Sequence, residues 1–291
     1  MHPAPSLIVF TTLSGAGFGL MIWLGLAPMD GEIWVAAVFS LIALGLASGG
    51  LLASLAHLGR PERAWKALSQ WRSSWLSREG ILAILTVGLF SLYAVLWVAS
   101  GRPAQIIGGL ASAAAFATVV STAMIYASLK SIPRWHSPWT PAVFVAAALA
   151  GGALLAGQVL AALVLTAGLA LIQVAAWHWG DGAFARAGST HSTATGLTGG
   201  GDVRQLEPPH TGSNYLLREM VHVVGRRHSR RLRVIALILV AGLPLTFGLL
   251  FTVGHGLGAL LVVSHLTGVV ILRWLFFAEA EHVVGLYYGA R

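Results

Sequence analysis

The chain has 291 residues, of which 56% are hydrophobic and 10% charged, with a net charge of +8 and a mean hydropathy of +0.78. A water-facing surface normally carries about a quarter charged residues, so this surface meets lipid and a soluble enzyme domain is excluded. There is no cysteine, which excludes disulfides, thiolate zinc sites and any iron–sulfur cluster held by this chain.

A helix needs about 20 apolar residues to cross a hydrocarbon core of roughly 30 Å. The first such run, 7–26, follows a stretch without Lys or Arg and without a small-x-small cleavage site, so it reads as a retained helix and not a signal peptide. Further spans are expected at 33–55, 80–99, 106–129, 141–157, 158–179, 234–254 and 257–277. The apolar run 141–177 is too long for one span, which places a tight turn at Gly157-Gln158. The fold class is therefore an all-α integral membrane protein of eight transmembrane helices. It forms a single membrane domain, 1–291, with a long basic loop at 180–233. Gly15-x-x-x-Gly19, Gly45-x-x-x-Gly49 and Gly254-x-x-x-Gly258 read as sites where helices approach closely.

Eight spans put both termini on the side of the loops after helices 2, 4 and 6. That side carries Arg60, Arg63, Lys66, Arg72 and Arg78, then Lys130 and Arg134. It also carries Arg186, Arg204, Arg218, Arg226, Arg227, Arg230, Arg231 and Arg233 in the 6–7 loop, and Arg291. The opposite side has Arg102 alone. This bias places the basic side and both termini in the cytoplasm of a bacterial inner membrane. The same residues orient the helices, which argues against a nucleic-acid patch. Arg273, one turn inside the last span, is expected to snorkel toward the basic side.

The basic stretch ending the 6–7 loop, with Arg226, Arg227, Arg230 and Arg231, suits anionic lipid or a docking cytoplasmic partner. No GxxxxGK[ST] occurs, so no phosphate cradle is expected.

Polar groups at membrane depth are costly and therefore candidates for function. The densest group follows helix 2, in His57-Leu-Gly-Arg60-Pro-Glu62-Arg63-Ala-Trp65. A histidine at the boundary exchanges protons near neutral pH and can hydrogen-bond a quinone carbonyl, with Arg60, Arg63 and Trp65 around the head group. The bland alternative is an interfacial histidine beside positive-inside arginines. Glu79 opens the third span, where a carboxylate suits the helix dipole; a proton-relay role is the alternative. Trp135 and His136 sit in the Pro- and Trp-rich 4–5 loop, as an aromatic belt at a rigid turn or as a wall of the same pocket. His265, midway along the last span, suits a helix–helix hydrogen bond, and the histidines are too uneven in depth for bis-histidine haem. Glu279, Glu281 and His282 join a proton path or are solvated.

These segments carry a resemblance. HLGRPERAW (57–65), LSREGI (76–81), IPRWHSPWTP (132–141), GLYYG (285–289) and the N-terminal HPAPSLIVFTTLSGAGFGL resemble the haem-free membrane anchor subunits of dimethyl sulfoxide reductase-type molybdenum enzymes, within the polysulfide and nitrite reductase anchor superfamily. The resemblance implies a quinone site near the face where an iron–sulfur subunit docks, beside a molybdopterin catalytic subunit. It maps the quinol-linked histidine onto His57 and the following acid onto Glu79. Glu279 and Glu281 are offset from the pattern and take no role from it. Relatives with exported catalytic subunits turn the HLG side to the periplasm, whereas the charge count here turns it to the cytoplasm. That favours similarity to sulfite dehydrogenases that reduce quinone, over dimethyl sulfoxide reductase anchors that oxidise menaquinol. A secondary transporter or proton pump, and a passive anchor without a redox role, are the competing readings. A transporter should hold charged groups at midplane, and by sequence the interior is expected to hold little beyond His265.

Overall fold

The computed structural model describes residues 2–29, 32–56, 58–197, 199, 201, 203–204, 206–207, 210, 212, 214–220 and 228–288. Among the described residues the long helices are α1 (Pro5–Leu26), α2 (Ile33–Leu55), α3 (Trp75–Ser100), α4 (Gln105–Ala127), α5 (Trp139–Leu155), α6 (Val159–Asp181), α7 (Ser229–Leu250) and α8 (His255–Ala278). Seven of them are long and apolar enough to cross a membrane; α5, with 17 residues, is apolar but shorter. The expected turn is present. Gly157, at φ +66°, closes α5 and reverses the chain into α6, a conformation glycine adopts without penalty.

Helix α1 is the hub of the bundle, with Leu20, Met21 and Leu24 fully buried among α2, α4, α5 and α8. Lipid is as apolar as leucine, so close backbone packing and hydrogen bonds hold such helices together. Glycine provides the first. A Cβ on Gly17 would overlap the backbone of Ala47, one on Gly50 would lie 2.5 Å from Ser14 N, and one on Gly19 would overlap the carbonyl of Ala148. Of the expected glycine pairs only Gly19 packs in this way. Gly15, Gly45, Gly49 and Gly254 have open space where a Cβ would stand, and Gly258 meets only ordinary contact. The period of four was present there, but it lies on faces that meet no neighbouring backbone. Side chains provide the second term: Tyr93 donates to Leu24 O (2.7 Å), Trp23 to Leu149 O (2.9 Å) and Ser112 to Ile22 O (3.0 Å).

Gly19→Val is accordingly expected to force α1 from α5 and lower stability by about 3 kcal/mol. A thermal melt in detergent, compared with the outward-facing Gly45→Val, checks it.

Helix α7 contains a wide turn at Ile238–Gly242, and Pro244 explains it. Proline has no N–H for the carbonyl four residues back, that of Val240. The freed carbonyl accepts from His265 Nδ1 on α8 at 2.9 Å, and the adjacent Leu239 carbonyl accepts from Ser264 Oγ at 2.8 Å. The helix–helix hydrogen bond expected of His265 is therefore present.

The N-terminus, the 4–5 and 6–7 loops and the C-terminal segment meet at one end of the bundle. His2 N donates to Glu219 O (2.7 Å), Val283 N to Ser131 O (2.9 Å) and Asn214 Nδ2 to the Tyr288 hydroxyl (3.2 Å), while Tyr287 donates to Ala194 O. This is the basic end.

Candidate functional site

Helix α3 starts at Trp75 because Ser74 caps it, its Oγ accepting the Ser77 N–H at 3.4 Å. Glu79 is therefore not a helix-opening acid. It lies inside α3, 5% exposed, and Thr122 Oγ1 on α4 donates to its Oε1 at 2.6 Å. A carboxyl in this position is withdrawn from bulk solvent, with one hydroxyl beside it.

The segment in front of Glu79 runs over the end of the bundle as the short 3₁₀ helix Pro61–Gln70. Leu68 covers Gly80, and Leu68 O accepts from Ser77 Oγ at 2.9 Å. His57 lies outside the described residues. Arg60, Arg63 and Trp65 are exposed, Trp65 by 69%. They stand on the surface as an Arg- and Trp-bearing rim, of the kind found where bilayer meets water.

Trp135 is buried in an aromatic cluster, stacked on Phe276 at 4.9 Å, and donates to Phe276 O at 2.9 Å. His136 is exposed and its Nδ1 bonds to Ala127 O at 2.7 Å. Their neighbours Arg134, Ser137, Trp139 and Thr140 instead line a cleft of about 580 Å³ between α5, α6 and α8. The expected wall thus belongs to a different recess. Proline spacing showed a rigid turn, but only packing decides which way each ring faces.

At the mouth of that cleft lies an ion cluster the sequence did not reveal. Glu279 Oε1 accepts from Arg233 Nε (2.7 Å) and its Oε2 from Arg134 Nη1 (3.2 Å). Asp181 accepts from Arg233 Nη1 and Nη2 (2.8 and 2.6 Å) and from Arg134 Nη2. Two cations and two anions from the 4–5 loop, the end of α6, the start of α7 and the end of α8 are closed on one another. Glu279 is 5% exposed, so it is not a solvated acid.

Arg273 does not snorkel: it is 3% exposed, its guanidinium carbon lies 3.5 Å from the centre of the Phe144 ring, and its Nε has no hydrogen-bond partner. A charge in an otherwise apolar helix was the available signal, and its nearness to the helix end concealed it. With Glu79 and Arg273 both buried, the interior holds more than His265. Arg230 and Arg231 are exposed in the first turn of α7, whereas Arg226 and Arg227 fall outside the described residues. Among the described residues, no three His, Asp or Glu side chains are grouped to hold a metal ion.

The likeness to other proteins extends along the full sequence. Residues 1–278 match the profile of the DMSO reductase anchor subunit (DmsC) family. The protein belongs to this family. It is 36% identical to the C subunit of sulfite dehydrogenase from Allochromatium vinosum, over 99% of both sequences. To the C component of the anaerobic dimethyl sulfoxide reductase of Escherichia coli K12 it is 30% identical, over 50% of its own length and 54% of that protein's. No solved structure matches it. As a DmsC-type protein it is a multi-pass membrane anchor subunit of DMSO-reductase-family oxidoreductases. Its own residues offer no thiolate to hold a cluster, since it has no cysteine.

Proposed function

We propose that this protein is the quinone-reactive anchor of a molybdenum and iron–sulfur sulfite dehydrogenase, carrying electrons from a docked iron–sulfur subunit to membrane quinone at its basic, cytoplasmic end. The observation that carries the reading is Glu79, a carboxyl held out of water inside a span and backed by Thr122. The 3₁₀ helix Pro61–Gln70, which carries Arg63 and Trp65, packs on the start of the same helix through Leu68. The full-length likeness to a sulfite dehydrogenase subunit supports sulfite as the electron donor, and the one-sided charge supports a catalytic subunit on the cytoplasmic side.

A quinone head is a flat ring with two carbonyl acceptors, and the residue types of this segment suit it. His57 and Glu79 are the proton-exchanging groups, Arg60 and Arg63 the donors, and Trp65 an apolar face beside them. Bound there, quinone supplies a couple that takes up two electrons and two protons. The anchor's own work is to orient the head, hold water away through the cover of Leu68 on Gly80, and deliver protons from the basic side. Trp135 serves by keeping the 4–5 loop packed on α8 and His136 by tying that loop to Ala127. The exposed Arg230 and Arg231, continuing the run from Arg226 and Arg227, form the docking face for the iron–sulfur subunit and the molybdopterin subunit behind it.

Two measurements test this. Mass analysis of the purified complex should find an iron–sulfur protein and a molybdopterin protein beside the anchor. His57→Ala, in a complex that still assembles, should cut sulfite-dependent quinone reduction on the order of a hundredfold. Unchanged turnover would remove His57 from the site.

A further inference from the structure

Buried polar atoms almost always find a hydrogen-bond partner, in protein or in ordered water. Among the described residues, five buried side-chain atoms have none: Thr12 Oγ1, Ser40 Oγ, Ser137 Oγ, His265 Nε2 and Arg273 Nε. Four of these five border three adjoining hollows, and Arg273 borders all three. The first hollow is the cleft behind the Arg134–Glu279 cluster, whose wall holds Ser137, Thr140 and Gln173. The second lies between α1, α4 and α8 and is lined by Thr11, Ser14, Gly15 and Thr122. The third holds Thr12 and His265. The imidazole tautomer that donates to Val240 O leaves Nε2 as a bare acceptor.

An apolar void stays dry, whereas a roomy void with two to four polar partners holds water. Their walls are mainly apolar, but each is bordered by polar groups and by at least one orphaned atom, and the inner two have room for about one water each. The cleft opens at the ion cluster on the basic end, Arg273 stands where it meets the inner hollows, and the second hollow ends on Thr122, whose hydroxyl touches Glu79. A buried guanidinium without a carboxylate partner is costly unless water or another dipole solvates it.

We infer that a hydrated polar passage runs through the bundle from the Arg134–Glu279 cluster, past Arg273, to Thr122 and Glu79, and that it carries protons from the basic face to the Glu79 carboxyl. Arg273 is its positioning residue, holding water at the junction. The passage rests on the role proposed above for Glu79, but the water in it does not.

Gly15 offers a plug. A Cβ there meets nothing within 4 Å, and the residue borders both inner hollows, so Gly15→Leu enters open space at Cβ and occupies the passage with the rest of its side chain. X-ray radiolysis of the purified complex generates hydroxyl radical from bound water in place, and mass spectrometry reads the side chains it marks. Phe18 and His265, each 1% exposed but lining the inner hollows, should be marked. Met21 and Phe90, fully buried away from these hollows, should not. Gly15→Leu should erase the marks and slow quinone reduction roughly tenfold or more, the scale of a lost proton-transfer step. Gly45→Leu, at an equally open glycine outside the three hollows, should change neither. Phe18 and His265 as unmarked as Met21 would mean dry cavities and no passage. Marks erased by the plug with turnover intact would show water that carries no protons to the site. Marks in a complex that reduces no quinone at all would overturn the quinone reading and the proton role with it, leaving only the water.

Discussion

Glu79→Gln is expected to reduce sulfite-linked quinone turnover by a factor of about 10² to 10⁴, the range a positioned acid or base contributes, while the complex assembles normally. Glutamine keeps the shape of the side chain and can accept from Thr122 Oγ1 as Glu79 Oε1 does at 2.6 Å. It removes only the proton that the carboxyl can bind and release. Stopped-flow reduction of a quinone analogue, with a thermal melt to establish that the fold is kept, separates chemistry from stability. Glu79→Asp draws the carboxyl one methylene away from Thr122 and should fall between the two. Wild-type turnover in Glu79→Gln would reduce Glu79 to a structural partner of Thr122.

Glu279→Ala is expected to lower stability by about 3 kcal/mol, because removing one member of a buried pair leaves the other charge unsatisfied. Here two charges are left, since Glu279 accepts from both Arg134 and Arg233. These arginines are themselves only 18% and 22% exposed, so water cannot fully replace the carboxylate. Asp181 would remain as their partner, but it is half exposed and already engaged. Four separate parts of the protein would loosen together: the 4–5 loop, the end of α6, the start of α7 and the end of α8. A lowered melting temperature in detergent, with faster amide exchange in residues 131–137 and 229–233, is the expected signature. Arg134→Met with Glu279→Met should recover part of the loss, because it withdraws charge from both sides of the pair.

Legibility differed from element to element. The runs 7–26 and 33–55 fell close to α1 and α2 because lipid demands about 20 apolar residues and hydropathy measures that directly. The turn at Gly157 was legible from length alone. The start of α3 was missed: Trp75–Arg78 is polar enough to look like loop, and only the Ser74 cap with the bond from Ser77 to Leu68 makes it helix. The glycine pairs were legible as spacing, yet Gly19 packs on Ala148 and Gly45 on nothing, because a period of four names a face without naming what lies against it.

By itself the sequence determined the solvent of this protein, the rough position of its apolar helices, its one-sided charge and its lack of cysteine, since each depends on composition summed along the chain. It also marked His57 and Glu79 through motifs read one after another. Only the tertiary structure decided that Glu79 is a buried partner of Thr122, that Trp135 is packing, and that Glu279 clamps two arginines. It alone showed Arg273 facing inward between three hollows. Those outcomes turn on which residues far apart in sequence share a face, and an apolar helix, equally comfortable against lipid or another helix, carries little record of its own rotation. The anchor was readable in one dimension; its interior polar groups required three.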